Sequence, residues 1–140
     1  MTHKSTFAES GGILDYIKEK QRMADIKIKA MNDATCVITL YLSGPIEDAK
    51  RWLRSECLRE GLCVTIEPTQ FIYTGGEEAG YRVGLLNYPR FPTTSEALQA
   101  RAEFIALGLL DATSQHSALM VTPDVTYWFT KRATNPEQSA

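Results

Sequence analysis

The sequence is poor in the residues that build metal sites and disulfide scaffolds. Its 140 residues include three cysteines and two histidines, and the cysteines are scattered, with no CxxC pair. An odd set of this kind does not form a disulfide framework, and so few ligands at unrelated spacings do not predict a metal centre. We therefore expect a chain that holds no metal and no cofactor, in a reducing compartment.

Long apolar runs are absent as well. No window approaches the roughly 20 apolar residues that a membrane-spanning helix needs, and the first residues lack the apolar stretch of a signal peptide. These two absences predict no membrane association and a cytoplasmic location.

Basic residues are not in excess. The formal net charge is -2, and after residue 31 the chain carries nine lysines and arginines against thirteen aspartates and glutamates. A nucleic-acid-binding domain needs a basic surface to neutralise phosphates. The acidic body therefore disfavours nucleic acid as a partner.

The sequence contains none of the common catalytic motifs. It has no nucleophile elbow and no pair of histidines at metal-binding spacing. His116 is the one histidine beyond the N-terminal leader, and Asp124 or Cys57 are its conceivable partners. Histidine exchanges protons readily near neutral pH. The absences favour a non-enzymatic protein, and the alternative is a small enzyme that uses His116.

The apolar pattern predicts a β–α–β–β–α–β order of elements. Runs rich in β-branched and aromatic residues are typical of strands, and they cover residues 35–42, 62–73, 81–88 and 118–130. Helical periodicity follows Pro45 and ends at Gly61, and a second helix follows Thr93. Thr93 and Glu96 have the spacing of a capping box.

Pro68 and Pro123 interrupt the second and fourth of the strand-like runs, so the fourth run is either a bent edge strand or a small hairpin. Proline lacks the N–H that a central strand needs, so within sheets it is confined to edges and breaks. In a ferredoxin-like fold the second and fourth strands are the edges. The fold prediction is therefore a ferredoxin-like α+β sandwich, with an antiparallel sheet and two helices on one face.

The chain is predicted to have three parts. Residues 1–22 are a polar leader with a short amphipathic helical arm, residues 23–132 are a single α+β domain, and residues 133–140 are a disordered tail. Residues 25–31 alternate between apolar and basic side chains, which predicts an extra strand in a hairpin with the run at 35–42.

The densest group of polar and aromatic side chains surrounds the glycine-rich connection before the third strand-like run. Arginine presents a planar fork suited to phosphate or carboxylate, so this group predicts a site for a small anion or nucleotide. The alternative is an ordinary hairpin loop in which the glycines supply positive φ. The residues assigned to the site are Tyr73, Gly75, Gly76, Arg82, Asn87 and Arg90.

Two apolar segments need a partner surface. A helical arm of about ten residues is too short to be stable alone in water, and neighbouring aromatic residues on the last strand must point to opposite faces. We predict self-association through these residues: Ile13, Leu14, Ile17, Tyr127, Trp128 and Phe129.

The predicted function is a non-enzymatic binding module. It would be a small homo-oligomeric regulator or inhibitor that docks on another protein, of the kind that phages and mobile elements carry. The aromatic edge and the missing catalytic motifs favour this interpretation. The alternative is a sensor or sequestering protein for a small anionic or nucleotide ligand.

Overall fold

The structure is a computed structural model that describes residues 12–28 and 34–132. The chain divides into two units, Met1–Asn32 and Asp33–Ala140. In the first unit, helix α1 spans Gly12–Ala24, and none of its side chains is buried.

The extra strand predicted for residues 25–31 is not formed over residues 25–28. Asp25 and Ile26 instead donate backbone hydrogen bonds to the carbonyls of Arg22 and Met23, in turns that follow α1. The rest of the predicted strand and the disordered tail at residues 133–140 lie outside the described residues.

The second unit contains two helices and five strands. In chain order these elements are β1 (Val37–Ser43), α2 (Ile46–Arg59), β2 (Val64–Tyr73), β3 (Gly76–Leu86), α3 (Ser95–Ala112), β4 (Ser117–Val121) and β5 (Thr126–Thr130). None of the helices in the described ranges has the length and apolarity needed to cross a membrane.

The five strands form one antiparallel sheet in the order β2-β3-β1-β4-β5. The general prediction of an α+β protein is confirmed. The specific ferredoxin-like topology is not, because the sheet has a fifth strand and the fourth strand is not an edge. Pro68 lies in the edge strand β2, opposite Tyr81.

The fifth strand arises because the chain turns at Pro123. It lies in the turn between β4 and β5 rather than inside one bent strand. The Thr122 side-chain oxygen accepts a hydrogen bond from the backbone N–H of Val125 at 3.0 Å, and the Thr122 N–H donates to the Val125 carbonyl at 2.9 Å. The run at 118–130 therefore folds into a hairpin, which places β5 at the edge.

Both helices of this unit pack on the same face of the sheet. The core contains the alternate residues Ile38, Leu40 and Leu42 of β1, which strand geometry places on one face. Matching residues of β3 and β4 and the apolar stripes of α2 and α3 complete it. The helix α3 begins after Thr94, whose hydroxyl accepts from the Ala97 N–H at 3.1 Å, so the cap is Thr94 and not Thr93.

A buried carboxylate ties α2 to α3. Glu56 is 5% exposed and accepts hydrogen bonds from Arg59 at 2.6 and 2.9 Å and from Arg101 at 3.3 Å. Arg101 also donates to the Glu60 carbonyl at 2.6 Å, at the end of α2. The hydrogen bond from Arg59, together with the two positive charges, holds the pKa of Glu56 below its ordinary value against the opposing effect of burial.

Candidate functional site

The face of the sheet opposite the helices has no covering element among residues 34–132. Strand alternation places on this face every residue that is not directed at the core. The strand registers align one residue from each strand into a row across the whole sheet. In order from β5 to β2 the row is Trp128, Leu119, Tyr41, Arg82 and Glu67. We refer to this surface as the open face.

Arg82 is the central cation of the open face. One terminal nitrogen of its guanidinium pairs with Glu67 on the neighbouring strand. Its Nε is buried and has no hydrogen-bond partner within the described ranges. An unpaired buried donor costs about 1–3 kcal/mol. The Arg82 side chain as a whole is 40% exposed, so the accessible part of its guanidinium can meet a ligand that carries a carboxylate or hydroxyl acceptor.

A second carboxylate lies on the same face. Glu78 accepts a hydrogen bond from the Ser43 hydroxyl at 2.7 Å. It is four residues from Arg82 on β3, which corresponds to about 13 Å along the strand. Glu67, Glu78 and Arg82 therefore give the central part of the open face one negative charge in excess. The ring of Tyr41, next to Arg82 in the row, adds a surface that attracts cations.

On the open face, the β3 positions on either side of Arg82 are glycines and carry no side chain. A methyl group on Gly80 would collide with the Leu42 carbonyl and the Phe71 ring, and one on Gly84 would collide with the Thr65 hydroxyl. Side chains of β2 can therefore lie flat across β3. The glycines flank Arg82 at two residues on either side, so no β3 side chain rises next to its guanidinium.

A separate cavity of about 560 Å³ lies between α2, the start of β2 and the loop after β3. We refer to it as the helix-side cleft. Its lining includes apolar side chains such as Leu53, Ile66 and Phe91, and three cations, Lys50, Arg54 and Arg90. No acidic side chain lines it. Its two thiols are Cys57 and Cys63, and burial raises the pKa of Cys57.

Metal binding has no support in the described ranges. Residues 12–28 and 34–132 contain no group of three or more His, Cys, Asp or Glu side chains that could hold a metal ion. His116 is exposed just before β4, and its carbonyl accepts the Lys131 N–H at 2.7 Å.

The six residues predicted as one ligand site are not brought together. Gly75, at φ +89°, and Gly76 lie with Tyr73 at the β2–β3 turn. Asn87 and Arg90 follow the other end of β3, about 33 Å away for an 11-residue strand. Arg82 lies on the open face and Arg90 lines the helix-side cleft. That these residues contact a ligand stays a prediction. They lie in three separate places, which are the β2–β3 turn, the open face and the segment that follows β3.

Asn87 has a structural role. It is 6% exposed, its Oδ1 accepts the Cys36 N–H at 3.0 Å, and its Nδ2 donates to the Ala34 carbonyl at 2.8 Å. Both ends of its amide are therefore used within the fold.

The residues predicted to mediate self-association are accessible to different degrees. Ile13, Leu14 and Ile17 are exposed on α1, and Trp128 is 64% exposed on the edge strand β5. Tyr127 and Phe129 point the other way and pack against the core. Their role in an interface stays a prediction.

Sequence reasoning missed Tyr41, Glu67 and Glu78. Tyr41 and Glu67 lie in strand-like runs, and Glu78 lies in the glycine-rich connection before the third run, where an acidic side chain is expected to be solvated. The signal that connects them is strand register, because Tyr41, Arg82 and Glu67 are neighbours only after β1, β3 and β2 pair.

Two solved structures resemble this fold. One is a phage SAM lyase in complex with S-methyl-5'-thioadenosine, with 10% sequence identity and a TM-score of 0.63. The other is a phage SAM lyase in the apo state, with 14% identity and a TM-score of 0.58. Each comparison covers 79% of this chain and 100% of the other chain. No protein-family model matches the sequence, and no curated protein does.

These similarities contradict the functional prediction. Both similar structures are those of an enzyme, and one holds a small nucleoside ligand. The interpretation as a non-enzymatic regulator or inhibitor that docks on another protein is therefore wrong. It relied on missing catalytic motifs, which are informative only for reactions that need those motifs.

Proposed function

We propose that this chain binds S-adenosylmethionine (SAM) on the open face and cleaves it to release S-methyl-5'-thioadenosine. The observation that carries the proposal is the likeness to the ligand-bound phage SAM lyase over that protein's full length. Fold alone does not imply function, so the proposal also depends on the charges and side chains of the site.

The charge of the substrate distinguishes the two candidate sites. SAM carries an ammonium, a sulfonium and a carboxylate, so its net charge is positive at neutral pH. The open face, with Glu67 and Glu78 around Arg82, has the complementary sign. The helix-side cleft has three cations and no acid in its lining. These cations repel the ammonium and the sulfonium, so the cleft disfavours SAM.

Each charged group of SAM has a matching side chain on the open face. Arg82, whose side chain is 40% exposed, offers the accessible edge of its guanidinium to the substrate carboxylate, in a charge-assisted hydrogen bond. Glu67 and Glu78 accept hydrogen bonds from the ammonium and the ribose hydroxyls. The face of the Tyr41 ring attracts the methylsulfonium, since aromatic rings bind such cations through their quadrupole.

The proposed chemistry needs few catalytic groups. When the bond between sulfur and the four-carbon chain breaks, its electron pair stays on sulfur and the sulfonium becomes a neutral thioether. A neutral leaving group needs no proton, so no general acid is required. The carbon fragment then either closes onto its own carboxylate or loses a neighbouring proton to a base such as Glu67. In both cases the protein acts mainly by orienting the substrate.

Turnover of SAM by the purified protein tests the proposal. We expect S-methyl-5'-thioadenosine to accumulate well above the rate of a protein-free control, measured by liquid chromatography with mass detection. Arg82→Gln and Glu67→Gln should each lower kcat/KM by about 10- to 100-fold, the equivalent of one charged hydrogen bond. Arg51→Gln, which removes an exposed arginine of α2, is the matched control and should leave turnover unchanged.

Product identity separates the two chemical routes in the same experiment. A lactone indicates closure onto the substrate carboxylate, and an unsaturated amino acid indicates proton loss. A folded wild-type protein that forms S-methyl-5'-thioadenosine no faster than the protein-free control would rule the proposal out.

A further inference from the structure

We infer that the helix-side cleft is a second binding site, for a small amphipathic anion that carries one carboxylate on an apolar chain. This inference goes beyond the proposed function, because the cleft lies on the helix side of the sheet and its charge disfavours SAM. Its occupant would therefore be a different molecule from the substrate.

The size and lining of the cleft fit a small organic ligand. Small-molecule sites are typically clefts of about 300–1,000 Å³ with mostly apolar walls, and this cleft measures about 560 Å³. Three separate elements supply its apolar wall, with Leu53 from α2, Val64 and Ile66 from β2, and Phe91 from the loop after β3. An apolar chain can therefore be enclosed from more than one side.

The charges in the lining select an anion. Lys50 is paired with Glu47 at 3.3 Å. Arg54 and Arg90 make no ion pair within the described ranges, and both line the cleft without an acidic neighbour in the lining. Guanidinium groups bind carboxylates through paired hydrogen bonds. A carboxylate held by Arg54 and Arg90, with its chain against Leu53 and Phe91, satisfies both the polar and the apolar parts of the lining.

Two cysteines report occupancy of the cleft directly. Cys57 and Cys63 line it, whereas Cys36 is buried elsewhere in the core. Labelling by N-ethylmaleimide, read at each cysteine by peptide mass spectrometry, therefore distinguishes a ligand in the cleft from one bound anywhere else.

The probe is decanoate, titrated by calorimetry below its aggregation concentration, with decylamine and decanol as the cationic and neutral controls. We expect saturable binding of decanoate, binding of both controls at least 10-fold weaker, and several-fold slower labelling of Cys57 and Cys63 when decanoate is bound. The double variant Arg54→Gln/Arg90→Gln should bind decanoate at least 10-fold more weakly, and Arg51→Gln on the same helix should bind normally.

Three results would overturn the inference. These are equal binding of decanoate and decylamine, decanoate binding that leaves the labelling of Cys57 and Cys63 unchanged, and no decanoate binding at millimolar concentration. The labelling experiment uses the wild-type protein, so the test stands even if the double variant does not fold. Its outcome is independent of SAM turnover, so failure here leaves the proposed function intact.

Discussion

Asn87 joins the chain that enters β1 to the chain that leaves β3. Its buried amide satisfies the Cys36 N–H and the Ala34 carbonyl, two backbone groups more than 50 residues away in sequence. Asn87→Ala should lower the free energy of unfolding by about 2 kcal/mol, since the buried Cys36 N–H loses its partner. Urea denaturation measures this. Asn87→Asp keeps the acceptor and loses the donor, so its free energy of unfolding should lie between those of the wild type and of the alanine variant. An alanine variant as stable as wild type would contradict the role.

The buried Tyr81 hydroxyl makes the stability of the fold depend on pH in the alkaline range. Its side chain is fully buried, and its hydroxyl lies 3.1 Å from that of Thr113, which donates to the Leu109 carbonyl. Burial raises the pKa of Tyr81 to about 12. The unfolded state therefore loses this proton first, and stability falls as pH rises from about 10 toward 12. In Tyr81→Phe, denaturation curves across this range should lose that dependence. An equally steep decline in the variant would show that another group is responsible.

The two helices of the second unit are coupled through Glu56. Because the folded pKa of Glu56 is lowered, its contribution is present above its ordinary pKa of 4.5 and is lost as pH falls through the folded value. Glu56→Gln should cost about 2 kcal/mol at pH 7. The variant should also lose less stability than wild type between about pH 5 and pH 3. Parallel pH profiles for the two proteins, from urea midpoints, would exclude this coupling.

A glycine in α3 sets how closely the two helices approach. A methyl group on Gly108 would collide with the Trp52 ring of α2. Replacing glycine by alanine inside a helix normally raises the free energy of unfolding by about 1 kcal/mol, because alanine has the higher helix propensity. In Gly108→Ala this gain opposes the cost of the collision with Trp52, so the sign of the net change shows which effect is larger. We expect net destabilisation and a shift in tryptophan fluorescence, with stability recovered when Trp52→Phe is added. A stabilised single variant would mean that Trp52 moves aside without cost.

Sequence periodicity predicted the helices and most of the strands, because their patterns are local. The pattern of the run at 118–130 is compatible with either a bent edge strand or a small hairpin, and the turn that Thr122 and Val125 close around Pro123 makes it the hairpin. The extra strand predicted at residues 25–28 is not formed. Alternation of isoleucine and lysine is compatible with a strand, but a strand also needs a partner, and pairing is a property of the whole sheet.

At the scale of the whole molecule, the candidate site depends on contacts that sequence order hides. Arg82 was predicted as a ligand residue from its type, but Tyr41 and Glu67 reach it only through strand pairing. The functional prediction failed because it searched for acids, bases and nucleophiles. The substrate we propose carries its own sulfonium leaving group and would place few such demands on the protein.

The two faces of the second unit differ in the charge of the ligand they favour. The open face has a negative excess around Arg82, and the helix-side cleft is lined by three cations. We therefore propose that a cationic substrate and an organic anion bind on opposite sides of one sheet.

A crystal structure of the protein soaked with S-methyl-5'-thioadenosine tests most directly whether the open face is the nucleoside-binding site. We expect density for the nucleoside on the open face, in contact with Tyr41 and within hydrogen-bond distance of Glu67 or Glu78, with the helix-side cleft free of it. Density for the nucleoside between Arg54 and Arg90 in the cleft, with the open face bare, would contradict it.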